Sequence, residues 1–258
     1  MNKKVLIYNG IGNRINQILN YVDELDKVTF MWSDDKNLDN IECGATWEDL
    51  FSFPKLNVVY GTYDKKKFQP KDKTFSSIKY NKVWSVFHDP SSFKFRSDNQ
   101  FRYEHDKTKL KLAKQFIKSL VPSKQVAKLM PDIPEGTCGY AVRLFHPSHI
   151  IPHPIKIPSG SFLTTDSEEQ RLFSPKTIQT QGVGGTGDKC INTLGKQGVI
   201  RAIADWFCLF KCEKIIEIGP SFTSLNHIDS KKGLLHSTFV DAHRILGCNV
   251  FNSSEKLN

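Results

Sequence analysis

The chain has 258 residues, 39% of them hydrophobic, which is enough apolar material for a packed core in one large domain or two small ones. Its 36 lysines and arginines against 27 acidic residues give a formal charge of +9, which favours an anionic partner without choosing among nucleic acid, membrane surface and nucleotide. No apolar run reaches the roughly 18 residues of a membrane-spanning helix. The N-terminus enters a strand pattern without a signal-peptide apolar region, so we expect a cytoplasmic protein without integral membrane association.

Metal-binding and nucleic-acid-binding patterns are weak in this sequence. Six cysteines are scattered without a C-x-x-C pair, which predicts reduced structural thiols, and no histidine near Cys208 and Cys212 completes a metal site. His146, His149 and His153 cluster among prolines, which predicts an extended loop bordering a ligand site rather than a metal centre. Zinc-finger spacing, an RNP-type motif and a basic helix with heptads are absent from the sequence, so neither a metal nor nucleic acid is expected.

The first half alternates strand and helix patterns, which predicts an α/β fold with largely parallel sheets. Strands are expected at 4–8, 28–32, 57–60 and 82–87, and a glycine-containing turn at 9–13 leads into a helix over 15–25. A longer helix follows over 110–120, and Ser123 is the expected N-cap of a short helix that ends near Met130. Residues 131–136 form a linker pattern, which places a domain change near 121–136.

The second half repeats the alternation. Strands are expected at 139–144, 161–164 and 214–218, with helices at 167–173 and 200–209. The glycine cluster at 181–187 lacks the Lys-Ser/Thr ending of a P-loop, so we interpret it as a connection or lid. After the last strand, Ser221, Thr223 and Ser224 lie in a polar turn that opens another helix, where free backbone N–H groups attract anions.

Four stretches in this order resemble motifs of the fucosyltransferase superfamily, which includes nodulation, core α1,6- and protein O-fucosyltransferases. Residues 10–14, Gly-Ile-Gly-Asn-Arg, are similar to its G-x-G-N-R/Q turn, and residues 139–143, Gly-Tyr-Ala-Val-Arg, to its strand ending in H-x-R. Residues 162–166, Phe-Leu-Thr-Thr-Asp, resemble its strand ending in A-T-D-D. Residues 198–224 resemble its helix with an aspartate, its strand and its S-S-F-S turn, with Asp205, Ser221, Phe222 and Thr223 at the matching positions.

The resemblance implies a GT-B-like fold, with two Rossmann-like domains whose mainly parallel sheets face a central cleft. Residues 1–128 would form the acceptor-side domain, and residues 129–258 the domain that binds the nucleotide sugar. Such enzymes usually need no metal or other cofactor, because protein groups neutralise the departing nucleoside diphosphate. The nucleobase is expected to be guanine on the same ground.

The chain also departs from the family motifs. Ala141 stands at the family histidine of the H-x-R stretch, Leu144 at its second arginine, and Ser167 at the second aspartate of A-T-D-D. These departures identify a divergent member, in which the donor sugar need not be fucose.

Physical chemistry assigns roles to the matching residues. Arg143 follows a buried strand pattern, so its guanidinium can bind diphosphate oxygens in bidentate fashion, and it is the first candidate for catalysis. Gly12 and Asn13 lie in the glycine turn, where Asn13 either contacts phosphate or sugar hydroxyls or simply caps the helix, and Arg14 is expected to be solvated. Asp166 is a candidate acceptor of hydrogen bonds from the base or sugar.

The remaining candidates concern the donor turn, the helix that precedes it and the acceptor. Ser221 and Thr223 can donate hydrogen bonds to phosphate, while Phe222 packs beneath the turn or beside the nucleoside. Asp205 falls in an apolar helix pattern, so it needs a partner, either Arg143 or a backbone turn, and is a supporting residue. A general base for the acceptor is expected after a first-half strand, and the sequence leaves three candidates: His88, Asp89 and Asp34.

The function predicted from the sequence is that of an inverting glycosyltransferase. It would move a sugar, with fucose one candidate, from a GDP-linked donor to a hydroxyl of a glycan or glycoconjugate. The alternative is a noncatalytic nucleotide- or glycan-binding protein on a decayed glycosyltransferase scaffold, which the departures at Ala141 and Leu144 favour.

Overall fold

The computed structural model describes residues 3–7, 11–33, 44–62, 107–142, 145–146, 149–150, 154–182, 195–218 and 238–252. Over these residues it is an α/β protein whose two larger sheets are parallel at every strand pair. The predicted fold class of mainly parallel α/β sheets is therefore confirmed.

Where the structure describes the chain, the first sheet has three strands, and all three come from the first 61 residues. β1 (Lys3–Ile7) pairs with β2 (Val28–Ser33), which pairs with β4 (Val58–Gly61). Helix α1 (Ile11–Leu19) follows β1, and its apolar side chains are buried because they recur at helical spacing: Ile11, Ile15, Ile18 and Leu19. The predicted strand and helix are present, but the helix begins at Ile11, inside the stretch expected to be the turn, and it ends at Leu19. Residues 9 and 10 of the expected turn lie outside the described residues.

The first half continues with α2 (Trp47–Leu50), β3 (Phe51–Phe53), α3 (Lys107–Ser119), β5 (Val121–Pro122) and α4 (Lys124–Ala127). β3 pairs with β5 in a two-stranded antiparallel ribbon. Ser123 caps α4 as expected, since its hydroxyl accepts a 3.2 Å hydrogen bond from the Val126 amide.

The part of the second sheet that the structure describes has four parallel strands, in the order Asn249–Asn252, Lys214–Ile218, Cys138–Val142 and Phe162–Thr165. These are β6 (Cys138–Val142), β9 (Phe162–Thr165), β10 (Lys214–Ile218) and β11 (Asn249–Asn252), and a small hairpin joins β7 (Phe145–His146) to β8 (His149–Ile150). Among the described residues of this half there are three α-helices: α5 (Glu168–Phe173), α6 (Gly195–Leu209) and α7 (Asp241–Leu246). In addition, short 3-10 helices occur at Leu25–Lys27 and Thr238–Val240.

Helix α6 connects the cores beneath the two sheets. Its Val199, Ile200, Ile203 and Trp206 belong to one buried cluster with side chains of the first sheet and of α1, whereas Leu209, at its end, packs in a second cluster under β6 and β9. The two halves of the chain thus share a continuous apolar core, and the domain boundary at residue 128 stays a prediction.

Other sequence expectations concern thiols and membranes. The four cysteines in the described ranges are free thiols, as predicted: Cys138, Cys208, Cys212 and Cys248. Among the described helices, none has the length and apolar character needed to cross a bilayer.

Candidate functional site

Three adjacent strands of the second sheet end in register. Val142 of β6 pairs with Ile218 of β10 on one side and with Thr165 of β9 on the other. These are the last residues of their strands, so three chain segments far apart in sequence leave the sheet at one edge. The carboxyl edge of a parallel sheet is where open α/β folds bind ligands, which makes this edge the candidate site.

Asp166 is the described candidate residue nearest this edge, because it directly follows β9. It is almost buried, and the turn that carries it is held by local hydrogen bonds. The Thr165 hydroxyl accepts from the Ser167 amide at 3.2 Å, and the Ser167 hydroxyl accepts from the Gln170 amide at 3.2 Å, which starts α5. The backbone on both sides of Asp166 is therefore fixed.

Gln170 anchors the same turn from below. Its side-chain amide donates to the Ile155 carbonyl at 2.7 Å and accepts from the Ile155 amide at 2.6 Å. These are the two backbone hydrogen bonds that Ile155 would make with a residue of a neighbouring strand. A third hydrogen bond, of 2.8 Å, runs to the Ser174 hydroxyl. Gln170 is fully buried and its polar atoms are paired, which makes the β9 to α5 connection rigid.

Asp205 joins α6 to β9 through a buried network. Its Oδ2 accepts a 2.9 Å hydrogen bond from Thr164, and its Oδ1 accepts a 2.5 Å hydrogen bond from Thr180. Arg201, one helical turn earlier, places its Nη2 3.7 Å from Oδ2 and donates from Nε to the Thr180 hydroxyl at 3.2 Å. The partner expected for Asp205 was Arg143 or a backbone turn, whereas its described partners are Arg201 and two threonines.

The network shows how Asp205 can be charged in the core. Burial raises the pKa of Asp205 and lowers that of Arg201, while their mutual attraction opposes both shifts. The Thr180 hydroxyl accepts a hydrogen bond from Arg201, so its own hydrogen is directed to Oδ1 of Asp205. The Thr164 hydroxyl donates a hydrogen bond to the other carboxylate oxygen, Oδ2. Since both oxygens act as acceptors, we assign the pair as carboxylate and guanidinium. At 1% exposure, Asp205 is buried beneath the sheet edge, where its hydrogen bond to Thr164 joins α6 to β9.

Arg171 of α5 holds the next segment in place. It donates to Gln179 Oε1 at 2.9 Å, to the Thr180 carbonyl at 3.0 Å and to the Gly182 carbonyl at 3.1 Å. The start of the glycine-rich stretch is therefore tied to α5, and Thr180 connects it further to Asp205.

An arginine also lies at the carboxyl edge of the first sheet. Arg14 of α1 is 2% exposed, donates to the Ile7 carbonyl at 3.3 Å, and places its guanidinium carbon 4.7 Å from the centre of the Trp32 ring. Ile7, the last residue of β1, pairs with Trp32, the penultimate residue of β2. The expectation that Arg14 is solvated is wrong, because its guanidinium is buried against the Trp32 ring and bonded to the Ile7 carbonyl.

The other candidates of the first half are only partly described. Gly12 and Asn13 lie in the first turn of α1, so Asn13 is inside the helix and is not its N-cap. The Asn13 side chain lies outside the described structure, as do the three candidate bases, His88, Asp89 and Asp34.

The remaining predicted residues of the second half are also outside the described ranges. These are Arg143, Ser221, Phe222 and Thr223, together with His153. In the described ranges, no group of three or more histidine, cysteine or acidic residues is arranged to hold a metal ion.

The buried partners of Asp205 were missed from the sequence. Arg201 stands four residues before Asp205 in an apolar helix, and this spacing is the signal that could have identified the pair. Thr180 carries no comparable signal, because it is 25 residues away from Asp205 in the sequence and contacts α6 only in the folded protein.

Comparisons with known proteins give structural likeness without sequence matches. No protein-family model matches the chain, and no curated protein does so. The NodZ α-1,6-fucosyltransferase soaked with GDP-fucose is 13% identical, with a TM-score of 0.44 over 95% of this chain and 93% of that one. The fucosyltransferase NodZ from Bradyrhizobium is also 13% identical, with a TM-score of 0.47 over 98% and 96%.

A plant enzyme gives a similar result. A variant of Arabidopsis thaliana FUT1 in complex with GDP is 14% identical, with a TM-score of 0.47 over 100% of this chain and 71% of that one. These neighbours are fucosyltransferases, the class that the four sequence motifs resemble. Because the identities are this low and the TM-scores are below 0.5, the fold assignment rests on the sheet topology itself.

Proposed function

We propose that the protein is an inverting glycosyltransferase that moves a sugar from a GDP-linked donor to a hydroxyl of a glycan or glycoconjugate. Fucose is the first donor sugar to test. The donor site comprises the carboxyl edge of the second sheet, and the acceptor site belongs to the first half of the chain. Neither a metal nor another cofactor is part of the proposal.

One observation carries this proposal. The three motif-bearing strands of the second half, β6, β9 and β10, are neighbours in one parallel sheet and end at the same register. The motif residues that follow them in the chain are Arg143, Asp166 and the turn at 221–223. Chain segments that carry motif residues up to about 80 positions apart therefore leave the sheet at one edge, as a ligand site at the carboxyl ends of parallel strands requires.

The chemistry follows from these side chains. The bond between the sugar C1 and the β-phosphate oxygen breaks, and the acceptor oxygen bonds to C1 from the opposite face. Negative charge grows on the diphosphate as it leaves, and in the proposal Arg143 neutralises it together with hydrogen bonds from Ser221 and Thr223. Phe222 would pack against the nucleoside.

The other proposed residues position the reactants. Asp166 would accept hydrogen bonds from the base or sugar, and Asp205 would keep β9 and α6 in register beneath the donor. Gly12 allows close approach of the α1 N-terminus, where Asn13 would contact phosphate or sugar. The acceptor proton would pass to His88, Asp89 or Asp34.

A noncatalytic binding protein is the second candidate, and one observation favours it. Ala141, at the position of the family histidine, is buried in an apolar cluster with Leu209 and Cys212. Leu144 replaces a second cationic group that would help the diphosphate to leave. Such a protein would keep nucleotide affinity and lose turnover.

The first experiment is a thermal-shift panel with GDP, UDP, ADP and CDP and their common sugar conjugates. It is run on the unmodified chain, on Arg143→Ala and on Lys176→Ala, which removes an exposed charge elsewhere in the same half. A ligand that binds the native state raises the apparent melting temperature. We expect a selective GDP response that Arg143→Ala loses and Lys176→Ala keeps.

Product analysis then separates the two candidates. Release of GDP from GDP-fucose in the presence of glycan acceptors, with inverted anomeric configuration, supports the transferase. GDP binding without turnover of any GDP-sugar supports the noncatalytic protein. Selective stabilisation of the protein by UDP would mean that the donor is UDP-linked and not GDP-linked. The absence of any nucleotide response at saturation contradicts the donor-site assignment.

A further inference from the structure

One segment of the first half carries positive charge only. Residues 107–131 contain no aspartate, glutamate or arginine, and they include seven lysines: Lys107, Lys109, Lys111, Lys114, Lys118, Lys124 and Lys128. This segment spans α3, β5 and α4. It therefore concentrates much of the formal charge of +9 on one stretch of surface.

Four of these lysines form a row along α3. Lys107, Lys111, Lys114 and Lys118 are spaced by four, three and four residues, which places them within about 60° of one another around the helix axis. The row is about 16 Å long. The helix buries a different face, formed by Ala113, Phe116 and Ile117, in the core.

The row has no counter-ions in the described structure. Lys109, on another face of α3, pairs with Asp23 at 3.4 Å. For the four lysines of the row, no ion pair occurs within the described ranges. Within the described residues, the charge of the row is therefore not neutralised by an ion pair.

Two exposed apolar side chains belong to the ribbon that follows the end of this row in the chain. Phe53 of β3 and Val121 of β5 are partners in the antiparallel ribbon, with 52% and 46% of their surface exposed. Ser52 fixes the ribbon by donating to the Pro122 carbonyl at 3.2 Å. In sequence, Lys118 stands three residues before Val121, Lys124 three residues after it, and Lys55 two residues after Phe53.

We propose that the α3 row, the Phe53–Val121 pair and Lys124 form a docking surface for an anionic lipid bilayer. Lysines near such a surface are attracted to its headgroups, and adjacent apolar side chains can enter the boundary between headgroups and acyl chains. The proposal does not depend on the proposed transferase activity.

The chemistry of the surface favours a bilayer over nucleic acid. Non-specific binding of single strands uses a charged groove with several aromatic rings on which successive bases stack. Here the charges form a straight row on a convex helix, one aromatic ring is paired with an aliphatic side chain, and arginine is absent from residues 107–131.

The test is co-sedimentation of the full chain with vesicles of phosphatidylcholine alone or with about 30% phosphatidylserine, at low and at physiological salt. We expect binding to the anionic vesicles that weakens with salt, and little binding to the neutral ones. Lys111→Gln/Lys118→Gln should weaken it about 25-fold, since each lysine contributes about fivefold. The control Lys156→Gln/Lys176→Gln removes the same charge from exposed positions in the other half and should bind as the unmodified chain does.

The apolar pair is tested separately. Phe53→Ser should weaken vesicle binding severalfold, Phe53→Trp should retain it, and the control Phe173→Ser, at a side chain of equal exposure, should leave it unchanged. Circular dichroism and melting curves confirm that the exposed substitutions leave the fold intact. Equal loss in the control and test variants, equal binding to neutral and anionic vesicles, or binding to an oligonucleotide with none to vesicles overturns the proposal.

Discussion

Asn16 donates a 2.7 Å hydrogen bond from Nδ2 to Oδ2 of Asp241, joining helix α1 to helix α7. Both side chains are almost fully buried, and 225 positions separate them in the sequence. The contact lies where α1, which carries the glycine motif, meets the half that contains the candidate donor edge. It is one of the polar contacts between the two halves, together with the 2.6 Å ion pair of Asp49 and Lys196.

Asn16→Ala should therefore destabilise the whole chain. It removes a buried donor from a carboxylate, so we expect a loss of about 1–3 kcal/mol in the free energy of unfolding. Urea denaturation measures it. The matched control is Asn57→Ala, which removes an exposed 2.8 Å hydrogen bond to Thr29 and should cost less than about 0.5 kcal/mol. Equal losses in the two variants would show that the buried pair contributes no more to the free energy of unfolding than the exposed hydrogen bond does.

Asp205→Asn should be more costly still. The substitution leaves the buried Arg201 without its carboxylate, and breaking such a pair typically costs about 3–5 kcal/mol. The control is Glu24→Gln, in the partly exposed pair with Lys3, where we expect less than about 1 kcal/mol. A small effect at Asp205, measured by the same denaturation, would contradict our assignment of charged groups to the pair.

Stability should fall in acid because of His243. The pKa of this imidazole is lowered to about 3, mainly by burial and also by the charge of Arg244, whereas the hydrogen bond to the Trp206 carbonyl and the charge of Asp241 oppose the shift. The Nε2 atom lies 2.9 Å from the Trp206 carbonyl, and the ring stacks on Phe210. The unfolded chain takes up this proton below the ordinary value of 6.5, whereas the folded chain does so only near 3.

The contribution of His243 is thus fully present above pH 6.5 and is lost as the pH falls from there towards 3. We expect up to about 1.4 kcal/mol per pH unit inside that window. Urea denaturation between pH 5 and pH 7 measures this slope. His243→Phe should be less stable at neutral pH but should show a shallower slope, and identical slopes would exclude His243 as the source.

Gly44→Ala should destabilise the chain for two separable reasons. Gly44 has a φ of +58°, and an added Cβ would lie 2.9 Å from the backbone nitrogen of Lys196 at the start of α6. Gly160→Ala is the control, since its φ is +78° but no described atom lies within 4 Å of the added carbon. Backbone strain alone predicts about 1 kcal/mol at Gly160. The loss at Gly44 should exceed it, and equal losses would mean that the 44–50 segment moves away from α6 at little cost.

Asp166→Asn tests the donor edge directly. The substitution keeps the size of the side chain and removes its charge, so a ligand that donates hydrogen bonds to Asp166 should bind at least about tenfold more weakly. Calorimetric titration with GDP and GDP-fucose measures this. Glu169→Gln, on the exposed first turn of α5, makes the same chemical change three residues further along the chain and should leave the affinity unaltered. Unchanged affinity in Asp166→Asn would remove this residue from the site.

The longer elements were predictable from the sequence because their apolar residues repeat at one period. The predicted strands at 28–32 and 214–218 and the long helices over 110–120 and 200–209 are present, with bounds that differ by a few residues. The elements that were missed are short or atypical. β5 has two residues, one of them a proline, and α2 has only four residues held by the Thr46 capping box.

The candidate site was predictable where it depends on chain order, and less so where it depends on packing. That β6, β9 and β10 end at one edge follows from parallel strands and the alternation of elements. The burial of Arg14 against Trp32 and the joining of Thr180 to Asp205 depend on distances between elements, which no local pattern encodes. The periodicity of the sequence therefore does not predict which side chains from different elements contact one another.

The packing of helix α6 limits how this molecule can be divided into fragments for experiments. Its Val199, Ile200, Ile203 and Trp206 are covered by the first half of the chain, although the helix itself belongs to the second. A fragment beginning at residue 129 would present these side chains to water as a contiguous apolar stripe, and it would aggregate rather than fold. The two halves should therefore melt in a single cooperative transition, and work on the nucleotide site has to be done on the intact chain.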